Sequence, residues 1–420
     1  MEKYGTEAPI SPPEESDHRL EDGDFPDGGT QAWLVVLGAL CANISAFGYV
    51  NSWGAFQAYY ESVVLTTTTP STIAWIGSIQ YALVFLPALL TGRMFDLGYF
   101  KIPFFAASVL LVVATFLIAQ CTQYWQFLLC QGFAVGLSCG FIFGPVMGII
   151  SHWFKRRRAM ALGIIACGSS IGGTVFPIAF RNLVATVGFK WTMRIFGFIL
   201  ICTLGVANVT LKRRLPPVNV SGGLLNLKVF RSPAFTVYTI ASFVAFLGLY
   251  TVLTYIDASG PTQGVSSDFS FYLVAIANAS SGFGRLMAGF VADRIGALNI
   301  MIPFTVLAAV FTFIWPFVYG QTALIIIAVF YGFASGAFVG LLIAPMIAMG
   351  DTSDVGRRSG MYMTLLSFGA LAGPPISGAI NTATGGYKAV GIYAGTSIMV
   401  AVVLMCATRH LVLKSFWGRF

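Results

Sequence analysis

The segment GFAVGLSCGFIFGP beginning at Gly132 returns two hundred residues later as GFASGAFVGLLIAP beginning at Gly332, in the same register. The identities are Gly132/Gly332, Phe133/Phe333, Ala134/Ala334, Gly136/Gly336, Gly140/Gly340 and Pro145/Pro345. Two fainter echoes accompany it: Gly92 and Asp96 recur as Gly289 and Asp293, at an offset of 197, and Arg157 with Arg158 recurs as Arg357 with Arg358. The chain reads as a duplicated half, and parallel repeats of this kind, enclosing a path between them, are how many membrane carriers are built.

The repeats lie in text that belongs in a bilayer, since 57% of the 420 residues are hydrophobic and only 10% are charged. Windows of about 20 apolar residues, the length that crosses a hydrocarbon core, begin near Ala32, Thr72, Ile102, Gln126, Ala159, Thr192, Ala234, Phe269, Ile300, Thr322, Ser359 and Val390. This predicts an all-α membrane protein of twelve transmembrane helices in two pseudo-symmetric six-helix bundles. The expected boundaries are an acidic disordered tail over 1–31, bundles over 32–211 and 234–411, a linker over 212–233 and a short tail over 412–420. No cationic start followed by an apolar run precedes the first span, so that span is expected to direct insertion itself.

Charge placement gives orientation. Nine of the sixteen acids precede Thr30, where proline is also frequent, which predicts a solvated, disordered segment. With both termini cytoplasmic, that side collects most of the Lys and Arg, and the opposite side keeps only Arg181, Lys190, Arg194 and Lys388. The basic balance therefore reads as topology, and nucleic-acid binding is excluded. The expected location is the plasma membrane, as a functional monomer.

The remaining acids are Glu61, Asp96, Asp257, Asp268, Asp293, Asp351 and Asp354, each in or beside an expected loop, and His18, His152 and His410 lie in the tail or at span ends. This weakens a proton relay, although a proton stays a candidate co-substrate. Seven scattered cysteines have no ligand spacing, so no metal or cofactor is expected. GSSIG at 168–172 lies in an expected span with no strand before it and no intramembrane His, which excludes a nucleophile elbow and predicts no enzyme.

Two segments carry a family resemblance. DGGTQAW, from Asp27 to Trp33, introduces the first span, and WFKRRRAMALGIIACGSSIGG, from Trp153 to Gly173, joins the fourth and fifth. Together with GALAGPPISGAI at 369–380 and NSWGAFQAYY at 51–60, they resemble the monocarboxylate porter family of the major facilitator superfamily, on its fungal side. The match departs from the family's first signature by one extra residue and by Thr30, which stands where an aromatic is usual. Animal members use a span-one lysine and a span-eight Asp four residues before an Arg. By that resemblance this chain has Asn51 and Ser281 at the first two positions and keeps Arg285. The implied function is alternating-access transport of a small organic molecule, an anion by preference. Efflux of an acidic or amphipathic metabolite from a fungus is favoured over proton-coupled uptake of a monocarboxylate or vitamin-like nutrient, and over a nutrient sensor.

Arg285 falls inside an apolar run, where Arg costs about 3 kcal/mol on insertion scales. Its fork suits an acidic substrate group, with pairing to Asp293 or to helix-end carbonyls near the cytoplasmic face as the alternative. Asn278, Ser281 and Arg285 follow at about one-turn intervals and form a polar stripe, which either lines the path or ties helices together. Arg93 with Asp96 and Asp293 with Arg294 are candidate gating latches, with Arg156 and Arg157 as anchors or secondary contacts. Gly132, Gly136, Gly140, Gly332, Gly336 and Gly340 form strips for close helix packing, a hinge being the alternative.

Overall fold

The computed structural model describes residues 26–217, 223–225, 227–350, 354–415 and 418–420. Most of the acidic tail, part of the 212–233 linker and Asp351 lie outside these, so the expected tail disorder falls outside the described residues. Among the described residues the secondary structure is entirely helical. In chain order the long elements are α1 (Thr30–Val64), α2 (Thr72–Asp96), α3 (Lys101–Ile118), α4 (Tyr124–Ile150), α5 (Arg158–Thr210), α6 (Pro233–Gln263), α7 (Ser267–Ile295), α8 (Ala297–Phe317), α9 (Gln321–Ala348), α10 (Val355–Thr384) and α11 (Tyr387–Leu413). All but α7 are long and apolar enough to cross a membrane, which gives ten candidate spans. Large apolar side chains such as Ile102, Phe105, Val209, Phe283 and Val403 point outward, which suits a lipid surround for a multi-pass membrane protein.

Ten differs from the expected twelve at two places. The connection expected between the fifth and sixth spans is missing as a loop. Residues 158–210 run on through Arg181 and Lys190, interrupted only at Gly188, whose φ of 77° and ψ of 166° are accessible to glycine at little cost. The other difference is α7, whose apolar run is diluted by Asp268, Arg285, Asp293 and Arg294. Asp257, expected beside a loop, lies within α6.

Irregular turns mark the helices that carry candidate residues. α1 has π-helical turns at Ile44–Gly48 and Tyr60–Val64 and a break at Asn51 and Ser52. α4 has one at Leu128–Val135. The Tyr60 hydroxyl donates to Gln131 Oε1 at 2.5 Å, so two of these turns are tied together. α9 is broken at Leu342 and Ile343, just before Pro345 starts its last turn, whereas Pro145 is absorbed inside α4.

The duplicated glycine strips perform equivalent packing. Added methyls at Gly132, Gly136 and Gly140 would meet Ile76, Gln80 and Leu83 of α2, at 2.3 Å in the tightest case. At Gly332, Gly336 and Gly340 they would meet Ala277, Ser281 and Arg285 of α7, at 2.2 Å in the tightest. At Gly136, Gly140, Gly332 and Gly336 the approach leaves no room for a side chain, whereas a methyl at Gly132 would make an ordinary contact at 3.4 Å.

Candidate functional site

Two of the contacts that join the first half of the sequence to the second are built from a glycine and an aspartate. On α2, a methyl at Gly92 would stand 2.0 Å from the Gly356 carbonyl oxygen, so α2 and α10 touch backbone to backbone. One turn on, Asp96 accepts from the main-chain N–H of Gly356 at 2.9 Å and of Arg357 at 2.7 Å. On α7, a methyl at Gly289 would stand 2.6 Å from the Ala159 carbonyl oxygen, and Asp293 accepts from Ala159 N–H and Met160 N–H, both at 2.9 Å. Each aspartate thus caps the second and third residues of a helix from the other half, where N–H groups have no partner of their own and the helix dipole favours an anion.

The other expected latch residues are placed differently. Arg93 is buried beside Asp96 in sequence. Arg294 is exposed and stacks on Phe290, 4.3 Å from its centroid. Arg156 and Arg157 are also exposed, and it is their main-chain N–H groups that are engaged. The acceptor is Asp27, one oxygen of which takes the N–H groups of Lys155 at 2.8 Å, Arg156 at 2.7 Å and Arg157 at 3.2 Å. Trp33 packs edge-on against Phe154, and Trp153 Nε1 donates to the Lys212 carbonyl oxygen. The segments DGGTQAW and WFKRRR therefore form one unit, and Asp27 was missed as its centre.

Farther into the apolar thickness, α5 and α7 meet along a polar seam. Arg285 is 7% exposed, and its Nη1 donates to the Ala166 carbonyl oxygen at 2.5 Å and to Ser169 Oγ. The Tyr250 hydroxyl and the Cys167 thiol are within electrostatic reach of it. The seam continues through Cys167 Sγ to the Gly282 carbonyl oxygen, Asn278 Nδ2 to the Gly173 carbonyl oxygen at 3.3 Å, and Thr174 Oγ1 to the Ala275 carbonyl oxygen. Ser281 faces a different neighbour, since it packs under Gly336 of α9. Asn51 joins the site from α1: a methyl on Gly173 would be 3.2 Å from Asn51 Cβ and 3.4 Å from Asn278 Cγ. The Tyr81 hydroxyl donates to Asn51 Oδ1 at 2.8 Å.

Two buried atoms at this seam, Arg285 Nε and Ser170 Oγ, have no hydrogen-bond partner. A buried polar group left unpaired costs roughly 1–3 kcal/mol, so the seam has capacity for a ligand or water. Beside it, rings from five helices meet. Phe47 contacts Phe85 and Phe143, Phe85 reaches Phe246, and Phe246 touches Tyr250 and Phe338. This cluster was missed, as were Tyr81 and Tyr250.

The Major Facilitator Superfamily model matches residues 38–344 and 262–414. The chain is 36% identical over 393 residues to the aspyridones efflux protein of Emericella nidulans, covering 93% of this chain and 80% of that one. It is 35% identical over 401 residues to the fujikurins efflux protein of Gibberella fujikuroi, covering 94% and 85%. The crystal structure of the human organic anion transporter MFSD10 (TETRAN) superposes with a TM-score of 0.70 at 16% identity, covering 89% of this chain and 98% of that one.

Proposed function

Since the chain belongs to the Major Facilitator Superfamily, we propose that it exports an acidic or amphipathic secondary metabolite from a fungal cell by alternating access. The two relatives described above, each at least 35% identical and matched over most of its length, are named for efflux of aspyridones and of fujikurins, which supports this reading. The observation that carries it is Arg285, a permanently charged group buried where the two halves meet, with an unpaired Nε and aromatic rings alongside. A carboxylate or enolate on the substrate engages the guanidinium in a bidentate pair, and the aromatic cluster holds the apolar body.

The same contact supplies a coupling device. In the present state Arg285 of α7 clasps Ala166 and Ser169 of α5. An anion that takes over the guanidinium releases α5 from α7 and lowers the cost of the halves moving apart. The Asp96 and Asp293 caps hold one end shut until then.

In this reading the ten candidate spans become twelve, with α5 counted as two spans about Gly188 and α7 added. Six fall in each bundle, over 32–211 and 234–411, joined by 212–233. The basic end faces the cytoplasm with both termini, in the plasma membrane, and the protein acts as a monomer without enzymatic activity. We place it in the fungal branch resembling the monocarboxylate porters. The test is transport of a labelled acidic metabolite into inside-out vesicles by wild type and Arg285→Gln. Loss of flux of the acid by the variant, with its amount and thermal stability unchanged, is expected. Equal flux removes Arg285 from the substrate site.

A further inference from the structure

A cleft unconnected with Arg285 lies between α8 and α11 at the end of the molecule that carries Asp293. It has a volume of about 430 Å³ and is lined by Asn299, Ile302, Pro303, Cys406, Arg409, His410 and Ser415. Its chemistry is divided. Pro303 and Cys406 are exposed on their helices, beside Ile302, while Arg409 and His410 stand in the last turns of α11. Arg409 is held in place by Asn299, whose Oδ1 accepts from its Nε at 2.5 Å, and by the Gly418 carbonyl oxygen, which accepts from its Nη2 at 3.1 Å. An apolar wall level with the hydrocarbon and a cationic floor at the interface match one kind of ligand, a phosphate group with acyl chains attached.

We propose that this cleft seats the phosphate head group of an anionic lipid. A cationic side chain at an anionic leaflet surface contributes about 1 kcal/mol, or about fivefold in affinity. A free phosphate ion would use the floor only and leave the apolar wall unfilled. The placement on the anionic inner leaflet rests on the cytoplasmic orientation proposed above, whereas lipid retention is measured without any transport.

The cleft also touches the latch. Asn299 Nδ2 donates to the Gly418 carbonyl oxygen at 2.8 Å, the Phe420 carbonyl oxygen accepts from Leu298 N–H at 2.9 Å, and Arg419 donates to the Asp293 carbonyl oxygen. Filling the cleft braces Arg409 and Asn299, and through Gly418–Phe420 it steadies the last turn of α7, which carries Asp293.

The experiment is native mass spectrometry of the full chain extracted from nanodiscs of phosphatidylcholine with phosphatidylinositol, for wild type, Arg409→Gln/His410→Gln, Cys406→Trp, and Lys388→Gln as a charge control at the other end. Wild type and the control are expected to retain phosphatidylinositol in preference to phosphatidylcholine. The charge variant is expected to bind it at least about fivefold more weakly, and the tryptophan, which plugs the cleft and leaves every charge in place, is expected to do the same. Equal retention by all four proteins overturns the proposal. Displacement of the lipid by inorganic phosphate alone overturns the assignment to a lipid. Loss of vesicle flux in wild type with lipid retention intact would count against the transport reading alone.

Discussion

Asp96 accepts the main-chain N–H of Gly356 at 2.9 Å across a separation of 260 residues. Its counterpart, Asp293, does the same for Ala159 at 2.9 Å. A fold duplicated in sequence is closed at one end by two copies of the same helix cap, each given by one half to the other. The cap is charge-assisted, and a bond of this type contributes roughly 1.5–3 kcal/mol net.

Asp96→Ala removes both bonds of one cap and is expected to shift the balance between end-closed and end-open states by at least about tenfold. Asp96→Asn, which keeps an acceptor oxygen, has a smaller effect. The check is the thiol-labelling rate of a cysteine introduced at Ser359, which lines the crevice between α2, α4 and α10 near this cap. An unchanged rate in both variants would show that the cap does not hold the end closed.

Gly92→Ala is expected to open the same end by steric means, since the new methyl would stand 2.0 Å from the Gly356 carbonyl oxygen. Overpacking of this kind costs roughly 1–3 kcal/mol. Gly289→Ala at 2.6 Å from the Ala159 carbonyl oxygen is expected to be milder. Labelling at Ser359 should rank Gly92→Ala above Gly289→Ala, and equal wild-type rates in both would contradict the backbone contact.

Much of this was legible from the sequence, for a physical reason. Two backbones in contact exclude every side chain, so Gly92, Gly289, Gly136, Gly140, Gly332 and Gly336 leave a mark that glycine alone can leave. Arg285 stood out because charge is rare in apolar text. The aromatic cluster left no mark, since with 37 phenylalanines in the chain Phe85 and Phe246 have no contrast with those that face lipid. Asp27 was hidden because its partners are main-chain N–H groups, which every sequence provides. The register of the second cap was also unreadable. The arginine echo pairs Arg357 with Arg157, yet Asp293 reaches Met160, about one turn on, because the position that matters is counted from the helix start.

Asp27→Ala is expected to free the 155–157 turn from three N–H contacts at once. Limited trypsin digestion should then cut after Lys155, Arg156 or Arg157 several-fold faster than in wild type, by the rise in local opening that follows about 1 kcal/mol of lost stabilisation. Identical digestion would mean that the turn is held by other contacts.

His152 predicts a response to acid. It lies beyond the end of α4, is 2% exposed, and accepts from Leu215 N–H through Nδ1. Burial, and then the charges of Arg213 and Arg214, push its imidazole down to about 3. The unfolded chain takes up this proton near pH 6.5 and the folded chain far lower, so the stability contributed by neutral His152 is complete above about pH 6.5 and is lost as pH falls toward 3. Melting temperature should fall more steeply with acid in wild type than in His152→Gln. Parallel curves would contradict the assignment.

The most direct test of the central claim measures both ends of the molecule in one experiment. Spin labels at Tyr99 and Ile295, exposed at the latched end, and at Trp191 and Tyr319, exposed at the opposite end, report distances between the two halves, with Cys202 and Cys406 replaced by Ser. On adding a transported acid, the first distance is predicted to lengthen as the second shortens, and Arg285→Gln is predicted to abolish both changes. Sustained transport with both distances fixed, or changes that survive loss of Arg285, would contradict alternating access governed by this site.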